Sequence, residues 1–129
     1  MTATDPSPSN TFDLVVAGSG AAGLATAISA ASRGLSVLVL EKAKEFGGTT
    51  SSSAGVVWIP ANYHAQEVGI SDSPDKALQY LKAMGGDRVD PVKARIFVEE
   101  ARDVLAWFES NTAARFELSP AWPDYHPEA

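Results

Sequence analysis

Gly18-Ser19-Gly20-Ala21-Ala22-Gly23, with a glutamate at position 41, 18 residues past the last glycine, are residue types and spacings that hold a dinucleotide. Each glycine has a separate physical task. Gly18 permits a tight turn from strand to helix, Gly20 lets backbone N–H groups come close to a pyrophosphate, and Gly23 lets the helix pack against the strand. The phosphates then rest on the positive end of the helix. The carboxylate of Glu41 is expected to accept hydrogen bonds from a ribose diol.

Such a constellation needs a strand, a helix and a second strand to position it. Phe12 to Ala17 is a nearly continuous apolar run, as is Ser36 to Leu40, and both read as buried parallel strands. Between them Ala21 to Arg33 is alanine-rich, with Leu24, Ile28 and Ala31 at helical spacing and Ala27 where the helix meets the sheet, and Gly34 supplies the stop. The fold class is therefore α/β. Two strands, with Arg115 to Leu118 as a possible third by its alternation, are too few for a covered parallel sheet, so the unit is expected to be incomplete at its C-terminal end.

Further along, Ser73-Pro74-Asp75 and Asp90-Pro91 each place a capping side chain before a proline at the first helical position. The first begins a helix running to Gly85-Gly86. The second begins an amphipathic helix to about Ser110, with Phe97, Ala101, Val104, Leu105 and Phe108 on its apolar side and Glu99, Arg102, Asp103 and Glu109 on a solvated side. Residues 1–11 are polar and proline-bearing and read as a flexible tail, leaving 12–129 as the N-terminal part of a nucleotide-binding domain whose helices lead toward an absent substrate domain.

The chain has 129 residues, 45% of them hydrophobic, and a net charge of −6 without a basic cluster, which argues against nucleic acid or an anionic membrane as partner. It contains no cysteine, so thiolate metal sites, iron–sulfur clusters and redox dithiols are excluded from it. No membrane span and no signal peptide are expected, and a cytoplasmic location is the default.

The choice among nucleotides turns on the residues after Glu41. A nicotinamide enzyme normally continues into a helix, whereas here a second glycine pair, Gly47-Gly48, opens an aperiodic, hydroxyl-rich stretch to Gly55 that reads as a loop hugging a long cofactor. That favours FAD. Glu41-Lys42, succeeded by Phe46-Gly47-Gly48-Thr49-Thr50-Ser51-Ser52-Ser53-Ala54-Gly55-Val56-Val57-Trp58-Ile59-Pro60-Ala61-Asn62, resembles the flavoproteins of the fumarate reductase and 3-ketosteroid dehydrogenase superfamily. Gly-Gly-Thr-Thr, Trp-Ile-Pro and the later Trp122-Pro123-Asp124-Tyr125 resemble the 3-ketosteroid Δ1-dehydrogenase branch in particular. Ser52 and Ala54 depart from the tyrosine and glycine common in that branch.

The resemblance implies a Rossmann-like FAD-binding βαβ unit with non-covalent FAD. Gly47, Gly48, Thr49, Thr50, Ser53, Ala54 and Gly55 fall in the loop along the cofactor, beside Gly18, Ser19, Gly20, Ala21, Ala22, Gly23, Glu41 and Lys42. It also implies a small-molecule substrate of the 3-ketosteroid kind, oxidised between C1 and C2: a tyrosine base takes a proton from C2, a hydride passes from C1 to flavin N5, and an acid polarises the C3 carbonyl. The ketone acidifies the proton to be removed, so a modest base suffices where a donor stabilises the developing enolate. Tyr125 is the active-site candidate within this chain, as the tyrosine that positions the base. Alternatives are a fumarate reductase-like or other FAD-dependent oxidoreductase, a catalytically incomplete FAD-binding fragment and, last, a nicotinamide enzyme. The electron acceptor is not indicated.

The remaining residues of note read as structural. His64 is expected at the surface or satisfied within a loop, with no partner acid spaced around it, and Trp58 and Trp107 as core or interface aromatics. Asp124, His126 and Glu128 lack the ligand count and scaffold of a metal site, and none is expected.

Overall fold

The computed structural model describes residues 11–119, which divide into two compact units, one ending at Val56 and one beginning at Val57. The flexible tail assigned to the first residues, Tyr125 with its Trp-Pro-Asp-Tyr segment, and the Asp124, His126 and Glu128 group lie outside the described residues, save that Thr11 is described.

The first unit is the expected βαβ. Strand β1 (Leu14–Ala17), helix α1 (Ala21–Ala31) and strand β2 (Val37–Leu40) come in order, and β1 pairs in parallel with β2 in the register Leu14 to Val37 through Ala17 to Leu40. The start of the ladder is fastened by Asp13, whose carboxylate accepts from the Ser36 N–H at 2.8 Å and the Ser36 hydroxyl at 2.6 Å. Those two donors, the hydroxyl first, hold the Asp13 carboxyl below its ordinary range.

Both strands are shorter than their apolar runs, and α1 stops at Ala31. Residues 32–34 complete a turn on the carbonyls of Ile28, Ala30 and Ala31, and Gly34 adopts φ +82°. In α1 the buried residues are Ala27 and Ala30, whereas Leu24 and Ile28 remain more than a third exposed. The longer apolar side chains stand on the flank.

The second unit is helical. Helix α2 (Tyr63–Glu67) is capped by Asn62, whose side-chain oxygen accepts from the Ala65 N–H. Helices α3 (Pro74–Gly85) and α4 (Pro91–Asn111) start at the predicted caps: Ser73 Oγ accepts from Lys76 N–H, and Asp90 Oδ1 accepts from both Val92 and Lys93 N–H. Its core gathers Pro60, Ala61, Ala65, Ala77, Val98, Ala101 and Leu105.

The apolar stripe of α4 thus runs through Val98, Ala101 and Leu105, one position off the anticipated Phe97 and Val104, which are 44% and 48% exposed. Phe97 instead stacks on Trp58 with ring centroids 5.9 Å apart, and Trp58 in turn meets Tyr80 at 5.5 Å. Among the described residues no helix is long and apolar enough to cross a membrane.

Arg115 to Leu118 is not a strand. Its polar groups are taken by other partners: the Phe116 N–H donates to the Glu109 carboxylate at 3.1 Å, and the Arg115 guanidinium donates to the carbonyls of Glu109, Thr112 and Ala114. The Phe116 N–H is thereby spent on a side chain and not on a strand ladder.

Candidate dinucleotide-binding site

Three segments of the first unit converge at the N-terminus of α1. The turn after β1 places Gly18 at φ +95°, a conformation that excludes side chains, and its N–H donates to the Leu40 carbonyl at 2.7 Å, tying the turn to the end of β2. Gly23 lies so close beneath this turn that a Cβ there would overlap the Gly18 carbonyl oxygen and come within 3.4 Å of Val16 Cγ1. Gly20, the N-cap, faces open space: nothing lies within 4 Å of where its Cβ would be, no side chain caps the helix, and its first turn holds no acidic residue. A helix N-terminus whose cap residue supplies no side chain leaves backbone N–H groups that favour an anion. Ala21 and Ala22 complete this first turn, and Ala21 N–H lies 3.4 Å from Thr50 Oγ1.

Glu41 closes the site at the end of β2. Its Oε2 accepts from the Ser19 N–H at 2.9 Å and the Ser19 hydroxyl at 2.5 Å, and its Oε1 accepts from the Ala43 N–H at 2.9 Å. These donors, Ala43 first and the Ser19 hydroxyl next, hold the carboxyl down at about 2, so Glu41 is an anion throughout the neutral range.

The second glycine pair forms the third wall. Gly47 and Gly48 both adopt positive φ, at +106° and +56°, and a Cβ on Gly48 would sit 3.3 Å from the Gly20 Cα, so the two glycine-rich segments touch backbone to backbone. Gly48–Ser52 is a short 3-10 helix where an aperiodic loop was expected. Its hydroxyls explain the difference: Ser51, Ser52 and Ser53 donate to the carbonyls of Gly48, Thr49 and Thr50, each three residues back. Lys42, Ala54 and Gly55 are exposed, with Gly55 N–H turned onto Ser53 Oγ at 3.2 Å.

A carbonyl-flanked glycine turn, an uncapped helix end, a fixed carboxylate and a second glycine turn in contact with the first fit a flavin dinucleotide, whose pyrophosphate needs donors without side chains and whose ribose needs a carboxylate. A family profile described as an FAD binding domain matches residues 13–124. The chain belongs to this FAD binding domain family.

Among its relatives is the 3-oxosteroid 1-dehydrogenase of Mycobacterium tuberculosis, 41% identical over 118 residues, covering 92% of this chain and 21% of that protein. The 4-oxocyclohexanecarboxylate 2-dehydrogenase of Sinomonas cyclohexanicum is 40% identical over 121 residues, again 21% of its length and 94% of this chain. In structure, the FAD binding domain resembles the 3-ketosteroid Δ1-dehydrogenase of Sterolibacterium denitrificans with a TM-score of 0.73 and 41% identity, over 81% of this chain and 18% of that one. The chain thus spans about a fifth of the length of the curated relatives it matches.

The second unit holds a polar cluster that the sequence did not announce. Glu109, read there as part of a solvated face, is only 17% exposed in its side chain. Its carboxylate accepts from the Tyr63 hydroxyl and the Phe116 N–H, and pairs with His64 Nε2 at 3.2 Å, so His64 has a partner acid 45 residues away, and a second, Glu67, three residues on and 3.8 Å from its Nδ1. The Tyr63 hydroxyl, more than the Phe116 N–H, holds the Glu109 carboxyl below its ordinary range, and the same bond raises Tyr63 to about 12.

The two shifts act at opposite ends of the pH scale. Glu109 is depressed in the fold, so its contribution is present above the ordinary glutamate range and is lost as pH falls through its folded value. Tyr63 is raised from 10.0 to about 12, so its contribution is complete below 10.0 and is lost as pH climbs toward 12. Thermal melting of wild type and Tyr63→Phe from about pH 9 to about pH 12 checks this, since wild type is expected to lose the margin it holds over the variant across that range. A constant difference throughout would show that Tyr63 is not bound to Glu109.

Proposed function

We propose that the protein is an FAD-dependent dehydrogenase that introduces a double bond beside the ketone of a cyclic substrate, with 3-ketosteroids oxidised between C1 and C2 as the preferred class. The observation that carries the cofactor is the N-terminus of α1, where the N-cap Gly20 supplies no side chain and is framed by Gly18, Glu41 and Gly48. The substrate class rests on chemistry shared by the relatives' names: a 3-oxosteroid and a 4-oxocyclohexanecarboxylate are both ring ketones. A ring ketone acidifies the hydrogens on its neighbouring carbon, which is what makes a dehydrogenation by proton and hydride removal accessible.

Gly20, Ala21, Ala22 and Gly23 would hold the pyrophosphate on backbone N–H groups beside the turn that Gly18 makes, and Glu41 the adenosine ribose. Gly47, Gly48, Thr49 and Thr50, with Ser53, Ala54 and Gly55 beyond them and Lys42 beside Glu41, would follow the cofactor toward the flavin. FAD, when bound, supplies a hydride acceptor. We read its attachment as non-covalent, since the loop from Phe46 to Gly55 carries neither histidine nor cysteine. Tyr125 is assigned to the substrate side as the residue that positions a tyrosine base.

The test uses the protein at its native length. After mixing with FAD and gel filtration, it should retain a flavin absorption band, and anaerobic addition of a 3-ketosteroid should bleach that band, whereas succinate, the electron donor of the fumarate couple, should leave it unchanged. A protein that emerges colourless contradicts the cofactor assignment. Retained flavin that no ring ketone bleaches would keep FAD and reject the substrate class.

A further inference from the structure

We propose that Ser19 is a positioning residue for the dinucleotide, a single buried hydroxyl that sets both the Glu41 carboxylate and the start of the second glycine pair. This builds on the FAD reading above. Ser19 is 2% exposed, the one buried polar residue among the described residues, and it lies between two glycines. Its side chain does not face the open end of α1. Instead Ser19 Oγ accepts from the Gly47 N–H at 2.8 Å and donates to Glu41 Oε2 at 2.5 Å.

The direction of these bonds is forced. An amide N–H only donates, so Ser19 Oγ must accept from Gly47, and its single proton is then left for Glu41. Glu41 must in turn be an acceptor at Oε2, where the Ser19 N–H also arrives. The line from Gly47 through Ser19 to Glu41 is therefore polarised one way and ends on an anion, which strengthens each bond in it. It also joins the segment that would meet the ribose to the segment that would follow the cofactor toward the flavin. With the hydroxyl absent, the buried Gly47 amide loses its acceptor and Glu41 loses one of its two holds on Oε2.

Ser19→Ala keeps Cβ and deletes only the hydroxyl, so the turn and its packing are retained. Three readouts apply. In the cofactor-free protein, NMR titration of the Glu41 carboxyl should move up from about 2 toward the ordinary 4.5, and the Gly47 amide should lose hydrogen-exchange protection. Glu41 has no ion pair among the described residues, its donors being the N–H and O–H groups of Ser19, Lys42 and Ala43, so no neighbouring charge masks the change. FAD affinity, followed by quenching of flavin fluorescence, should fall on the order of tenfold.

If neither the Glu41 midpoint nor the Gly47 amide responds, the hydroxyl does not hold them and the inference is wrong. If both respond while FAD affinity stays within about twofold of wild type, the joint exists but positions nothing for the cofactor, and the inference is again wrong. Wild-type protein that binds no FAD in the same assay overturns the cofactor reading and this inference with it, while the two NMR readouts still report whether the joint is present.

Discussion

Replacing Gly20 by Val is expected to strip flavin from the protein and leave the fold standing. Gly20 sits at φ −68° and ψ 178°, extended backbone that any residue adopts, and no heavy atom lies within 4 Å of the position its Cβ would take. The protein itself therefore accommodates the side chain. Valine is a poor helix cap, but the residue it replaces caps without a side chain, so the stability cost is about 1 kcal/mol or less. The cofactor has no such latitude. Two methyl groups would stand in front of the N–H groups of α1, in the space assigned to the pyrophosphate, and an overlap costing about 3 kcal/mol lowers affinity on the order of a hundredfold. Circular dichroism of the cofactor-free protein should match wild type and its melting temperature should stay within about 8 °C, while fluorescence titration with FAD should show affinity lowered on the order of a hundredfold. A Gly20→Val protein that purifies with a full complement of flavin would mean that the pyrophosphate lies elsewhere.

The parts of this site that were legible in the sequence are those whose cause is local. Gly18 and Gly23 come from a turn that demands positive φ and a helix that must come close, and both demands are met in the structure. Ser73-Pro74 and Asp90-Pro91 mark helix starts to the residue because a capping side chain and a proline act within one turn. What escaped depends on contacts between distant segments. Nothing around Ser19 says that its hydroxyl will be buried between Gly47 and Glu41, 28 and 22 residues away. Glu109 shares its helix with Glu99, Arg102 and Asp103, and only the arrival of Tyr63, His64 and Phe116 sets it apart. The run of three serines after two threonines is a local signal of another kind, since each hydroxyl can reach a carbonyl three residues back, and Ser51 to Ser53 do so. The α4 stripe shows a further limit, since a three-four spacing identifies an apolar face but not its centre when Phe97, Val98, Val104 and Leu105 are all apolar.

Gly23→Ala, though a smaller substitution than Gly20→Val, is expected to damage the fold itself. In an unconstrained helix alanine in place of glycine would gain about 1 kcal/mol. At position 23 the new methyl would overlap the Gly18 carbonyl oxygen, a backbone atom with no rotamer to escape into, and crowd Val16 from the other side. Relief requires α1 to move off the turn or the turn to move off β2, and the second breaks the 2.7 Å bond from Gly18 N–H to the Leu40 carbonyl. Overpacking of this kind costs about 3 kcal/mol, so the helix gain is outweighed and about 2 kcal/mol of stability is lost. The unit has little to spare, its buried apolar side chains among the described residues being Val16, Ala27 and Ala30. A fall in melting temperature on the order of 10 °C should result, with weakened far-ultraviolet circular dichroism and loss of FAD in parallel. The two glycines thus separate by mechanism: position 20 fails in the cofactor assay alone, position 23 in both. If Gly23→Ala melts at or above the wild-type temperature, α1 does not pack against the Gly18 turn as closely as this structure has it.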